Sequence, residues 1–182
     1  MSPHESHSEP TDSPWREWYR LGLFGLSAYS MAIGWQAQLV SYPLYREVAA
    51  ADFPAYHLYY NGAIPIVVIV PGFLTFLASI GYWWSRPHDQ TRAGAGLVAV
   101  SGLGALLATV AWAIPRHDEL DRVGQSLPVI DSLLQANLVR SLLLSAGTLA
   151  LGWSLGRRLT RGDRVERAQS APGSVHAAPQ DA

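Results

Sequence analysis

Hydrophobic residues gather in four stretches, 21–40, 62–84, 93–114 and 136–155, and polar residues fill the segments between and around them. At 1.5 Å rise per residue, roughly 20 apolar helical residues cross a ~30 Å hydrocarbon layer. The pattern therefore predicts an all-α integral membrane protein, an up-down four-helix bundle with two longer exterior loops at 41–61 and 115–135. The first stretch reads as a retained signal-anchor helix, because it exceeds the roughly 7–15 apolar residues of a signal peptide and no clean small-x-small cleavage site follows.

A mean hydropathy of +0.09 and 15% charged residues are modest for such a protein. The tails account for this. Residues 1–14 and 161–182 are too rich in Ser, Pro, His and charged side chains to bury a core, and both read as disordered, leaving 15–160 as one transmembrane domain. All 7 Trp lie near the ends of the apolar stretches, as do the Tyr residues except Tyr29. An indole or phenol is stable there, with its ring in the apolar boundary and its polar atom in water.

Every basic residue is Arg, and the distribution is lopsided. Arg16, Arg20, Arg86, Arg92, Arg157, Arg158, Arg161, Arg164 and Arg167 fall on one side, against Arg46, Arg116 and Arg122 on the other. Positive residues stay cytoplasmic, so both termini are expected inside the cell membrane and both longer loops outside. The Arg run after 155 is expected to touch anionic lipid rather than nucleic acid, given its place beside a span. With Cys absent, disulfides, thiolate metal sites and thiol nucleophiles are excluded.

The two halves share a plan. A span ends at Pro43 or Pro115, an acidic segment follows, and Asp52 or Ser126 stands two residues before Pro54 or Pro128, as a cap does before a helix. Helix 2 is thus expected from about Phe53 to Trp84, and helix 4 from about Leu127 to Gly156. On the projecting turn of helix 2, His57 and Asn61 share a face, as do Tyr56 and Tyr60. His117 stands in the second loop beside Asp118, Glu119 and Asp121. Convergence of the two imidazoles with several of these carboxylates would suit a divalent transition metal held by His57 and His117, or proton transfer; separately the imidazoles would meet only headgroups and water.

Polar residues inside the spans narrow the search. Arg140 either snorkels to the outer headgroups or faces inward with Asn137, three residues earlier. Of Gln36 and Gln38, which cannot share a direction, Gln36 falls on the stripe of Tyr29 and Ile33 and is expected to face the bundle. Pro65 and Pro71 should kink helix 2 and free backbone carbonyls. Small residues in helix 3, among them Gly102 and Gly104, predict close backbone packing. An outward pocket of Gln36, His57, Asn61, His117, Asn137 and Arg140, bordered by Tyr60, results.

The order Trp35-Gln36-x-Gln38, Tyr42-Pro43, Phe53-x-x-Tyr-His57, Pro71, Pro115-x-His117, Leu120, Gly124, Asn137-x-x-Arg140 resembles a large group of small four-helix bacterial membrane proteins, distantly grouped with the anthrone oxygenase-like family. The match covers roughly residues 20–156. The resemblance implies oxygenation or oxidation of a hydrophobic, phenolic or quinone-like compound at a membrane pocket, with His57, His117, Asn137 and Arg140 in the functional set. His57, His117 and Arg140 would be catalytic, and Gln36, Tyr60, Asn61 and Asn137 would bind substrate. The alternative is a non-enzymatic membrane subunit that binds a partner protein or a lipid, and a homo-oligomer is compatible with either.

Overall fold

The computed structural model describes residues 13–170, and every regular element in that range is helical. The expected tail segments 1–12 and 171–182 lie outside the described residues. Helix α1 (Pro14–Gln36) passes through a wide π turn, Ala37–Ser41, into α2 (Tyr42–Leu44). A second rod joins α3 (Phe53–Ile64), a π turn at Pro65–Ile69 and α4 (Val70–Ser85). A third joins α5 (Arg92–Ala108), a π turn at Thr109–Ala113 and α6 (Ile114–Val123). The fourth is the single helix α7 (Leu127–Ser170).

Proline explains the shared design of the first three rods. It lacks an N–H and its ring clashes with the carbonyl four residues earlier, so an ordinary helix breaks there. Here the helix widens instead. The residue before Pro43, Pro71 and Pro115 donates its N–H five residues back, Tyr42 to Ala37, Val70 to Pro65 and Ile114 to Thr109. Such π turns absorb the distortion without ending the helix. Pro115 therefore does not terminate its span, and the second longer loop expected from sequence is replaced by α6 and a short connection through 124–126. Gly124, at φ 75°, makes the reversal that a side chain would resist.

Three helices are long and apolar enough to cross a membrane: Phe53–Ser85, Arg92–Val123 and Leu127–Arg164. The first rod falls short of that standard because Gly, Ser, Tyr and two Gln interrupt its apolar run. Asp52 opens α3 through its backbone carbonyl, which accepts from Tyr56, rather than through its carboxylate. The C-terminal helix continues through residues 161–170, the first part of the expected disordered tail.

Contacts pair α1 with α4, α4 with α5, α5 with α7 and α7 with α1, closing a ring around the core. One end gathers the first residues of α1, the 86–91 connection and the late part of α7; we call it the terminal end. There Arg20 is fully buried. Its guanidinium donates to both oxygens of Asp89 (3.1 Å each), to Ser154 (3.0 Å) and to Glu17. At the opposite, loop end, Tyr42, Tyr45, Phe53, Leu120 and Ile130 form the largest buried apolar cluster.

Between the ends, packing depends on small residues and on hydroxyls that bond across helices, as expected where surrounding chains are as apolar as leucine. Ser30 meets Thr75 at 2.7 Å. A methyl group added at Gly34 would stand 2.9 Å from Ser141 Oγ, and one at Gly102 would stand 2.4 Å from Ser79 Cβ and 2.9 Å from the Phe76 carbonyl oxygen. The close backbone packing expected of helix 3 is thus present at its contact with α4. Trp18, Trp84 and Trp153 are exposed at the terminal end, whereas Trp35 and Trp112 instead donate to Ser145 and Ser132 on α7 (3.0 Å each). Large apolar side chains such as Ile66, Leu74, Val100 and Leu149 point outward.

Because no flexible side-chain tip faces Gly102, Gly102→Ala is expected to destabilise the protein by about 1–3 kcal/mol through overpacking. Thermal unfolding in detergent, compared with Gly22→Ala at a position with open space, measures the difference.

Candidate functional site

The loop end brings the two imidazoles together. His57, from the first turns of α3, and His117, from α6, lie nearly parallel with ring centroids 5.3 Å apart, and His57 Nε2 is 3.1 Å from His117 Nδ1. His57 Nδ1 is 2.6 Å from Asp121 Oδ1, and His117 Nε2 is 3.2 Å from the Tyr42 hydroxyl. Four side chains from three rods thus form one continuous line.

One set of proton positions satisfies every bond along the line from Asp121 to Tyr42. The Asp121 carboxylate can only accept, so His57 carries its proton on Nδ1 and accepts at Nε2. His117 then donates from Nδ1 and accepts at Nε2 from the Tyr42 hydroxyl. Asn61 fixes the far end by donating to Asp121 Oδ2 at 3.1 Å. The line runs from an exposed carboxylate, through the fully buried His57, to the buried Tyr42.

Aromatic residues wall this line from water. Phe53 stacks on His57 (centroids 5.4 Å apart), Tyr60 stacks on His117 (6.4 Å), and Tyr45 meets both imidazoles edge-on. Tyr45 is itself fully buried. Burial, reinforced by the neighbouring phenols of Tyr60, Tyr42 and Tyr56, pushes its hydroxyl well above the ordinary tyrosine range, so it stays neutral. Tyr45 is held in place by backbone turns in 42–47 and by Gln125, whose amide donates to the carbonyls of Tyr45 (2.9 Å) and Val48 (2.7 Å).

Beneath the line lies a cavity of about 30 Å³, with Gln36, Tyr42, Tyr60, Thr109, His117 and Arg140 in its walls. Arg140 faces inward, not toward the headgroups: it is 7% exposed and donates to Asn137 Oδ1. The fully buried Asn137 in turn donates to the Gly34 carbonyl (3.0 Å) and to Gln38 Oε1 (2.8 Å). No carboxylate pairs with Arg140 among the described residues. A second void of about 20 Å³ touches its other side, toward Tyr29 and Val67.

The sequence-derived set is therefore brought together, with one exchange. Gln38, not Gln36, meets Asn137; Gln36 is exposed and donates to Ser41 Oγ (3.0 Å), touching the cavity only at its wall. The π turn beginning at Ala37 advances the helix by more residues per turn, which shifts the faces predicted from a regular helix. Tyr42 and Tyr45 were not expected in the site, Asp121 was expected only as one of several carboxylates beside His117, and Gln38 was expected to face the headgroups. His117 and Asp121 are four apart, the spacing that puts them on one helical face. Recognising that signal required α6 to be a helix rather than a loop.

The facing nitrogens of His57 and His117 are engaged with each other, and no group of three or more His, Asp or Glu is placed to hold a metal ion among the described residues. Comparison with protein-family models, curated proteins and solved structures gives no match.

A guanidinium inside the apolar span costs roughly 2.5–3.5 kcal/mol on insertion scales, and here no carboxylate offsets it. Arg140→Met is expected to leave the unfolding temperature in detergent unchanged or raised. A clear fall would mean that Arg140 serves packing rather than the cavity.

Proposed function

We propose that this protein is an up-down four-helix membrane oxidoreductase or oxygenase that deprotonates a hydrophobic phenolic or quinone-like compound. The observation that supports this reading is the placement of Tyr42: its hydroxyl ends the Asp121–His57–His117 line and borders the same cavity as Arg140. The resemblance to the anthrone oxygenase-like group points to the same class of compound. Ordinary bilayer lipids would deliver it, since the rods present apolar side chains outward.

In the proposed step, a substrate hydroxyl or enol loses its proton to the Tyr42 oxygen as Tyr42 passes its own to His117 Nε2. His117 Nδ1 passes a proton to His57 Nε2, and His57 Nδ1 passes one to Asp121. Both imidazoles exchange tautomers and neither accumulates charge, which suits a buried pair. The net result is a substrate oxyanion in the cavity, whose roughly 30 Å³ admits the hydroxyl oxygen and not the ring, and a protonated Asp121 at the surface. Arg140, oriented by Asn137, stabilises the phenolate or enolate oxygen. Phenolate is the electron-rich form that reduces an acceptor such as dioxygen, so the chain's residues supply the proton half of the reaction.

His57→Ala, His117→Ala and Tyr42→Phe are each expected to lower turnover about 10²-fold or more, the scale of lost acid–base catalysis. Oxygen uptake by the protein in liposomes given an anthrone or a hydroquinone is the measurement. Full turnover in all three variants, with insertion intact, would shift the protein to the non-enzymatic class, a subunit that binds a partner or a lipid.

The arginine distribution orients the proposed bundle with both termini in the cytoplasm and Asp121 outside the cell membrane. A reporter fused after Leu155 is then expected to be active only in its cytoplasmic form. Activity of a reporter that works only when exported would reverse the direction of proton release.

A further inference from the structure

The terminal end carries a second polar recess, far from the His pair. A pocket of about 250 Å³ lies between the start of α5 and the arginine-rich part of α7, lined by Gln90, Thr91, Trp153, Ser154, Arg157 and Arg161, with Asp89 and Arg158 at its edge. Its charges are not equivalent. Asp89 is neutralised by Arg20, which holds both of its oxygens, and Arg158 pairs with Glu17. Arg157 and Arg161 have no carboxylate partner among the described residues.

Two features make this recess receptive to an anion. Thr91 caps α5, its Oγ1 accepting from Gly94 N at 3.1 Å, and the positive end of the helix dipole opens there. Independently, Gln90 is only 8% exposed, its amide has no hydrogen-bond partner among the described residues, and it lines the pocket. Its amide opens on the pocket, so a ligand that accepts its N–H there takes the place of water. Two free guanidinium groups, a helix N-terminus and an available amide donor match the oxygens of a phosphate group.

Position then selects the source of the phosphate. Trp153 and Arg157 also border an apolar groove along α1 and α7, lined by Phe24, Met31 and Leu149. Trp153 is 71% exposed, as a tryptophan at a membrane boundary is. We infer that this recess is a binding site for one anionic phospholipid, with its phosphodiester between Gln90, Arg157 and Arg161 and an acyl chain in the α1/α7 groove. This site does not depend on the proposed chemistry at the other end.

Native mass spectrometry of the full chain, released from micelles containing equal phosphatidylglycerol and phosphatidylcholine, tests the site. Wild type is expected to retain one phosphatidylglycerol. Arg157→Ala/Arg161→Ala should weaken retention by about 30-fold, from roughly 1 kcal/mol per arginine, and the charge-neutral Gln90→Leu by about fivefold. Arg164→Ala/Arg167→Ala removes the same charge outside the pocket and should leave retention unchanged. Equal loss in that control would reduce the effect to general charge and overturn the site. So would equal retention of phosphatidylcholine, or wild-type retention by Gln90→Leu. Displacement of the lipid by millimolar inorganic phosphate would reassign the recess to a free anion.

Discussion

A proline inside a helix leaves one carbonyl without its usual donor and one turn without room, and the site of this protein depends on how that constraint is met. Pro43, Pro71 and Pro115 are each accommodated by an i to i+5 bond closing on the preceding residue. The repeated solution keeps three rods continuous while widening each at one place. Ala37, Ile69, Thr109 and Ala113 from those wide turns all border the cavity beside Arg140. The Val67 carbonyl, four residues before Pro71, is taken by the Tyr29 hydroxyl at 2.9 Å, so a bond lost within one rod becomes a bond between two. Straight helices would have closed this space.

The outward and inward faces follow opposite rules. Outside, leucine, isoleucine and valine are exposed, acceptable where lipid replaces water. Inside, serine, threonine, asparagine and glutamine pair across helices at distances that small residues permit. Gly34 illustrates the connection: without a side chain it lets α7 approach, and its carbonyl accepts from Asn137, which orients Arg140. Close packing and placement of the cation are thus one arrangement.

Much of this was legible in the chain. Long apolar runs gave the helices, Phe53 and Leu127 were recognisable as helix starts, and His57, Asn61, His117, Asn137 and Arg140 stood out as polar groups in or beside apolar segments. What the sequence concealed has a common physical origin. A rule that ends helices at proline turns α6 into a loop, which hides the shared face of His117 and Asp121. A rule of 3.6 residues per turn, applied through Ala37–Ser41, chooses Gln36 over Gln38. Tyr42 looked like an interfacial aromatic because its partner, His117, is 75 residues away in sequence. Pairwise distance across rods has no signature in local pattern.

The order of groups along the Asp121–His57–His117–Tyr42 line also limits what it could do in the proposed deprotonation. An imidazole pair alone could hold a proton but would place charge in an aromatic enclosure. With a carboxylate at one end and a phenol at the other, each intermediate group can gain and lose a proton within the same concerted shift. Asp121 is exposed and Asn61 donates to it, so the charge that changes is the one water can solvate. At the inner end the change falls to the cavity, where Arg140 waits without a carboxylate of its own. A permanent acidic partner would satisfy that guanidinium and remove its attraction for an anionic substrate. Left with only Asn137, it keeps the cavity electropositive, and under the proposed function that deficit would set the direction in which the line delivers its proton.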